Sequence, residues 1–316
     1  MNQKELVQKF FKGRAVTRPP FLPLPGTYLV KVDQVTIPTL LQDDSTLYSS
    51  LINTQKLLGY DAIILPIDTS LEAEAFGAKL QWNDTEMPVV AEHLPMEREI
   101  DEADFLERGR VPIIKEVVER LVAVQGKELP IIATISGPFT ILQQLYGKEI
   151  ESADTELIKS RLETITQALI GLCKSFGDAK VDGILINEEA EMTSDQMKEL
   201  SRAYKPIFNV IKFYNIFGIL RLPDEIESAE SIGDLSDAIL GPMGLVVNSK
   251  SVRTKGIALP DSVWEEALEF DELSAMWKDN KKRRLFFSTR SPLNLEISLN
   301  DLQEKIAMLC AEEKWA

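Results

Sequence analysis

Short apolar runs begin near residues 21, 62, 130, 182, 216 and 285 and alternate along the chain with segments of helical periodicity. Runs of this kind, bounded by Gly, Pro, Asn or Asp, have the pattern of buried strands. The amphipathic segments are residues 2–12, 46–59, 109–125, 154–176 and 194–214. Alternating strand and helix predicts right-handed βα units, and the natural closure of such units is one (β/α)8 TIM barrel over residues 1–316 with an N-terminal extension. Residues 21–25, 61–68, 130–136, 180–186, 216–222 and 285–289 are the expected strands, with 238–247 and 256–259 as weaker ones. Gly59 and Gly126 stand where helix C-caps belong. Residues 78–106 read as irregular, rich in charge and proline, either a lid over a pocket or a solvated excursion.

Polar residues gather where the predicted strands end. The stretch Asp61 to Gly77, DAIILPIDTSLEAEAFG, runs from a buried strand through Asp68-Thr69-Ser70 into helix-forming residues. Asp68 is there either a catalytic carboxylate or the cap of the following helix. Asn187-Glu188-Glu189 follow another buried strand, and such groups are costly unless solvated, paired or used on a ligand. Asn187 and Glu188 are therefore candidates for a pocket role, with capping of the helix starting near Ser194 as the alternative. Gly137-Pro138-Phe139-Thr140 is a strand-to-helix turn. Its glycine lets the backbone approach a ligand, beside which Phe139 can pack.

Composition narrows the function classes. With 316 residues and 44% hydrophobic content, the chain can fill one large core. A net charge of −15 argues against nucleic acid and against an anionic membrane surface, both of which require basic faces. Cys173 and Cys310 fall in helical patterns and form no disulfide framework. The start of the chain lacks a long apolar segment, and no run reaches the length of a membrane span, so a soluble, cytoplasmic protein is expected. No GxSxG elbow, phosphate loop or dinucleotide fingerprint appears in a convincing strand context.

The 61–77 and 137–140 stretches resemble the uroporphyrinogen decarboxylase and cobamide-dependent methyltransferase superfamily, with Thr69 to Gly77 closer to the methyltransferase branch. The resemblance implies a uroporphyrinogen-decarboxylase-like barrel in which Asp68 points into the pocket. Several of the superfamily's functional positions are substituted. The decarboxylase arginines correspond to Pro23 and Thr27, and the tyrosine after GPFT to Gln144. The His-x-Cys of the zinc methyltransferases corresponds to Arg221 and Pro223, and the last zinc ligand to Ser291.

One His and two Cys, none in a ligand motif, do not make a catalytic zinc site, so no zinc is expected. His93 in its irregular segment reads as incidental. The resemblance then implies a corrinoid-linked methyltransferase that works without zinc, the corrinoid (cobalamin) residing on a partner protein and the small donor or acceptor being other than a thiol. A non-catalytic barrel used for binding or assembly, and a decarboxylase-like lyase acting on a small substrate, remain open. So does a homodimer. Asp68, Asn187 and Glu188 are the expected catalytic residues, with Tyr28, Phe139, Gln144, Arg221 and Arg290 as substrate contacts. Alternatively, Arg221 and Arg290 neutralise the acids internally.

Overall fold

The computed structural model describes residues 1–190, 194–224, 226, 229, 232–266, 268–280 and 284–315. Its strands are β1 (Ile63–Ile64), β2 (Lys79–Gln81), β3 (Val89–Glu92), β4 (Ile131–Ser136), β5 (Gly183–Asn187), β6 (Phe217–Arg221), β7 (Ala238–Gly241), β8 (Thr254–Leu259) and β9 (Leu285–Thr289). Seven of them form one parallel sheet in the order β1-β4-β5-β6-β7-β8-β9. Sequential parallel strands joined through helices are what right-handed βα units produce. Strands β4, β5, β7, β8 and β9 are buried along their whole lengths, which explains why they read as apolar runs without alternation.

Residues 20–22 lie against both edges of this sheet. Leu22 N–H donates to the Phe287 carbonyl at 2.8 Å, Phe287 N–H to Pro20 at 2.9 Å, and Asp61 N–H to Phe21 at 3.2 Å. The expected strand over 21–25 is thus reduced to a single bridge between Phe21 and Phe287. Pro19, Pro20, Pro23 and Pro25 supply no N–H, so a longer ladder cannot form here.

Three further expectations change. Residues 78–106 are not wholly irregular, because β2 and β3 pair as an antiparallel hairpin. The expected strand over 238–247 stops at Gly241, and Met243–Asn248 is helical. Pro242 cannot continue the ladder and starts the helix instead. The strand over 61–68 is regular only at Ile63–Ile64, since Pro66 interrupts it.

The N-terminal helix, Gln3–Phe11, packs across the amino ends of the strands. Phe11 stacks on Phe217 at 3.9 Å, Phe10 meets Phe286 edge-on, and Lys4 pairs with Asp182 at 2.6 Å. The extension therefore belongs to the core. Cys173 lies buried in helix Thr155–Asp178, and Cys310 ends helix Leu299–Cys310. Among the described residues, no helix is long and apolar enough to cross a membrane.

Candidate functional site at the carboxyl ends of the strands

Strand register builds the site. Ser136 pairs with Asn187 and Asn187 with Arg221, so three adjacent strands present polar residues in one row at their last positions. Asp68 follows the end of β1, beside that row. Polar side chains at the carboxyl end of a parallel sheet are where such folds place their chemistry.

Asp68 accepts from Ser70 N–H at 3.0 Å and from its hydroxyl at 2.6 Å, closing the turn before helix Leu71–Ala75. Its other oxygen is paired with Arg110. Arg110 also bonds Glu74 through Nε at 2.8 Å and Ser70 Oγ at 3.0 Å. The guanidinium lies under the ring of Trp82, 4.9 Å from its centre, so the residue just beyond β2 covers this ion-pair cluster. One helical turn after Asp68 comes Glu72, wholly buried, which accepts from Ser136 N–H at 2.9 Å and Ser136 Oγ at 2.7 Å. Burial pushes the Glu72 carboxyl up to about 7, and the neighbouring charge of Asp68 adds to the rise against the Ser136 hydrogen bonds.

Asn187 accepts from Arg221 at 2.6 Å and donates to Glu189 at 3.0 Å. Arg221 reaches on to the carbonyl of Arg290 at 2.8 Å, and Arg290 pairs with Asp224. Burial lowers the pKa of Arg221, while Glu189, Asp224 and Asp261 act in the opposite sense. A cavity of about 10 Å³ lies among Asp68, Glu72, Thr134, Ser136 and Asn187, with apolar walls that include Leu65 and Leu71. That volume holds about one water-sized group.

Glu188 faces elsewhere. Its carboxylate accepts from Thr140 N–H at 2.7 Å, Phe139 N–H at 3.3 Å, Ala190 N–H at 3.3 Å and the Tyr204 hydroxyl at 2.6 Å, and it also bonds the Thr140 hydroxyl. It thereby caps helix Pro138–Tyr146; residues 191–193, which precede the helix at Ser194 considered from the sequence, lie outside the described residues. Burial raises its pKa and that of Tyr204.

The remaining candidates lie off the cavity wall. Tyr28 is buried beside the last loop, with its N–H on the Leu293 carbonyl at 3.0 Å and, among the described residues, no partner on its hydroxyl. Phe139 is buried at the start of its helix, and the Gln144 carbonyl lies 3.2 Å from His93 Nδ1. Ser291 Oγ donates to Asp261 at 2.6 Å. Asp68, Asn187, Arg221 and Arg290 thus converge, whereas Tyr28, Phe139, Gln144 and Glu188 do not line the same cavity. Glu72 and Arg110 were missed from the sequence. Glu72 carries a local signal, four residues after Asp68, but Arg110 stands 42 residues away and carries none.

Zinc fits this donor set poorly. Among the described residues, no group of three or more His, Cys, Asp or Glu is arranged to hold a metal ion. The two carboxylates at the cavity are engaged by Arg110 and Ser136.

The profile of the uroporphyrinogen decarboxylase (URO-D) family matches residues 2–205. The methylcobamide:CoM methyltransferase MtbA of Methanosarcina acetivorans is 32% identical over 135 residues, which are 42% of this chain and 38% of that protein. The methylcobamide:CoM methyltransferase MtaA of Methanosarcina barkeri is 25% identical over 143 residues, 43% of this chain and 42% of that protein. The matched part thus spans well under half the length of these relatives. A methyltransferase from Methanosarcina mazei has the same fold, with a TM-score of 0.84, 17% identity and full coverage of both chains. The family match takes in well over half of the sequence, and the chain belongs to the uroporphyrinogen decarboxylase family.

Proposed function

We propose that this chain is a corrinoid-linked methyltransferase that works without zinc, on a small donor or acceptor that is not a thiol. The barrel in this reading is closed by residues 20–22 as its eighth strand, which is supported by their hydrogen bonds to both sheet edges. A corrinoid on a partner protein supplies the methyl-carrying centre. The chain's own part is to hold the small substrate and manage its proton.

The observation that carries this reading is Glu72. A carboxyl pushed up to about 7, lining the strand-end cavity, gives or takes a proton at neutral pH, as the departure or attack of an amine requires. Asp68, balanced by Arg110, supplies charge beside it, and Asn187 orients the substrate. Glu188 holds the Pro138–Tyr146 helix in place from behind. A thiol substrate would lack the metal coordination that lowers its pKa, because no thiolate or imidazole ligands reach this cavity.

The test mixes the protein with cob(I)alamin or methylcobalamin and small methylated amines, ethers or their acceptors, and follows the corrinoid spectrum. Methyl transfer is expected, with a loss of about a hundredfold in Glu72→Gln and in Asp68→Asn. A second reading, a non-catalytic barrel kept for binding or assembly, is favoured by the 10 Å³ cavity and by the internal pairing of Asp68, Asn187, Arg221 and Arg290. A spectrum unchanged with every substrate would decide for it.

A further inference from the structure

Asp68, Glu72 and Asn187 at the strand ends are each engaged by partners of the same chain, and the cavity among them holds about one water-sized group. A larger molecule enters only if one of those partners withdraws. There are three to consider: Arg110 on Asp68, Ser136 on Glu72 and Arg221 on Asn187.

Arg110 is fixed, because it is buried under Trp82 and shared by Asp68, Glu74 and Ser70. Ser136 is fixed as well, being the last residue of β4 and meeting Glu72 through its backbone N–H as well as its hydroxyl. Arg221 differs from both. Among the described residues, its hydrogen bonds reach two neutral oxygens, Asn187 Oδ1 at 2.6 Å and the Arg290 carbonyl at 2.8 Å, and burial disfavours its charge. A partly buried cation without a hydrogen-bonded carboxylate is weakly held. The Glu189 carboxylate stands 3.6 Å away on the exposed rim, so a turn outward improves the pairing of Arg221.

Strands β6 and β9 are separated in the sheet by β7 and β8. The bond from Arg221 to the Arg290 carbonyl therefore spans the carboxyl end of the sheet instead of running along one strand pair. Beside it Arg290 pairs with Asp224, their side chains 46% and 31% exposed, and an ion pair so exposed is screened and readily broken. We infer that Arg221 is the gate of the strand-end cavity: turned inward onto Asn187 and Arg290 it shuts the cavity, and turned outward to Glu189 and Asp224 it admits a small substrate. The gate rests on reading that cavity as the substrate site, but its test needs neither corrinoid nor methyl transfer, so the two fail separately.

The experiment places a thiol in the cavity. The full chain carries Thr134→Cys, at a buried lining position, and Cys310→Ser, which removes the partly exposed native thiol; Cys173 is buried. Labelling by the small neutral reagent methyl methanethiosulfonate is followed by mass spectrometry of the peptide that holds the new thiol. The rate is expected to stay constant up to about 1 M urea, because turning one side chain exposes little surface. Arg221→Ala should raise it about tenfold, and Arg290→Ala, which loosens the inner hold and frees Asp224, about threefold, both read well below the urea midpoint of unfolding. A rate that climbs with urea as steeply as global unfolding would mean that the cavity opens only when the chain unfolds, and would overturn the gate. An unchanged rate in a folded Arg221→Ala protein would do the same. Should Arg221→Ala not fold, Arg290→Ala decides alone, and a rate equal to that of the parent overturns the gate.

Discussion

Both oxygens of Glu72 are met by Ser136, and burial keeps the neutral form favoured until about pH 7. An unfolded Glu loses its proton near the ordinary value of 4.5. Between these two pH values the folded chain holds a proton that the unfolded chain has released, so this residue's contribution to stability falls as pH rises and stays low above about 7. The full excursion corresponds to about 3 kcal/mol. Urea denaturation of wild type and Glu72→Gln from pH 4 to about 8 should therefore show the variant gaining on the wild type as pH rises. Parallel profiles would mean that Glu72 ionises normally in the fold. Arg110 gives a contrasting case. Arg110→Ala leaves Asp68 and Glu74 without their buried counter-charge and should cost about 3–5 kcal/mol. In Asp68→Asn, Arg110 keeps Glu74, so the loss should be smaller and the fold retained. Equal losses in the two variants would show that Arg110 does not act as the common partner.

At the scale of elements, the helix Pro138–Tyr146 is held by a carboxylate from the neighbouring strand. A Cβ on Gly137 would lie 2.2 Å from Glu188 Oε2 and 2.7 Å from the Tyr204 hydroxyl, so this glycine is required by close approach and not by its backbone angles. Gly137→Ala should cost about 1–3 kcal/mol, read from the urea midpoint, by forcing Glu188 off the helix end. An unchanged midpoint would mean that the cap contributes nothing. The β2–β3 hairpin is tied to the ion-pair cluster through Trp82, which lies over Arg110.

The whole molecule is closed at its amino-end face by its own first helix. Phe10 is 1% exposed and packs against Phe286, so Phe10→Ala should cost about 3–5 kcal/mol and lower the thermal midpoint of the entire chain. A midpoint within error of the wild type would show that residues 1–12 are an appendage. At the opposite face the polar row is largely neutralised by its own members, with Arg110 against Asp68 and Arg290 against Asp224. The chain's net charge of −15 is thus not a description of its candidate site.

Local pattern alone determined the alternation of elements, because a buried parallel strand must be apolar throughout and a surface helix must be amphipathic. It placed β4, β5, β6 and β9 to within a few residues, and it placed Asp68 and Asn187 at strand ends. The local rules acted more strongly than read in two places: proline reduced residues 21–25 to one bridge and turned 243–248 into a helix. Only the tertiary structure decided what the polar residues do. Glu188 and Asn187 are adjacent in sequence, but alternation along a strand sends one to a helix end and the other to the cavity. Arg110 reaches Asp68 across 42 residues, and Ser136 meets Glu72 across 64. Burial, pairing and pKa are properties of such distant neighbours, and no local pattern carries them.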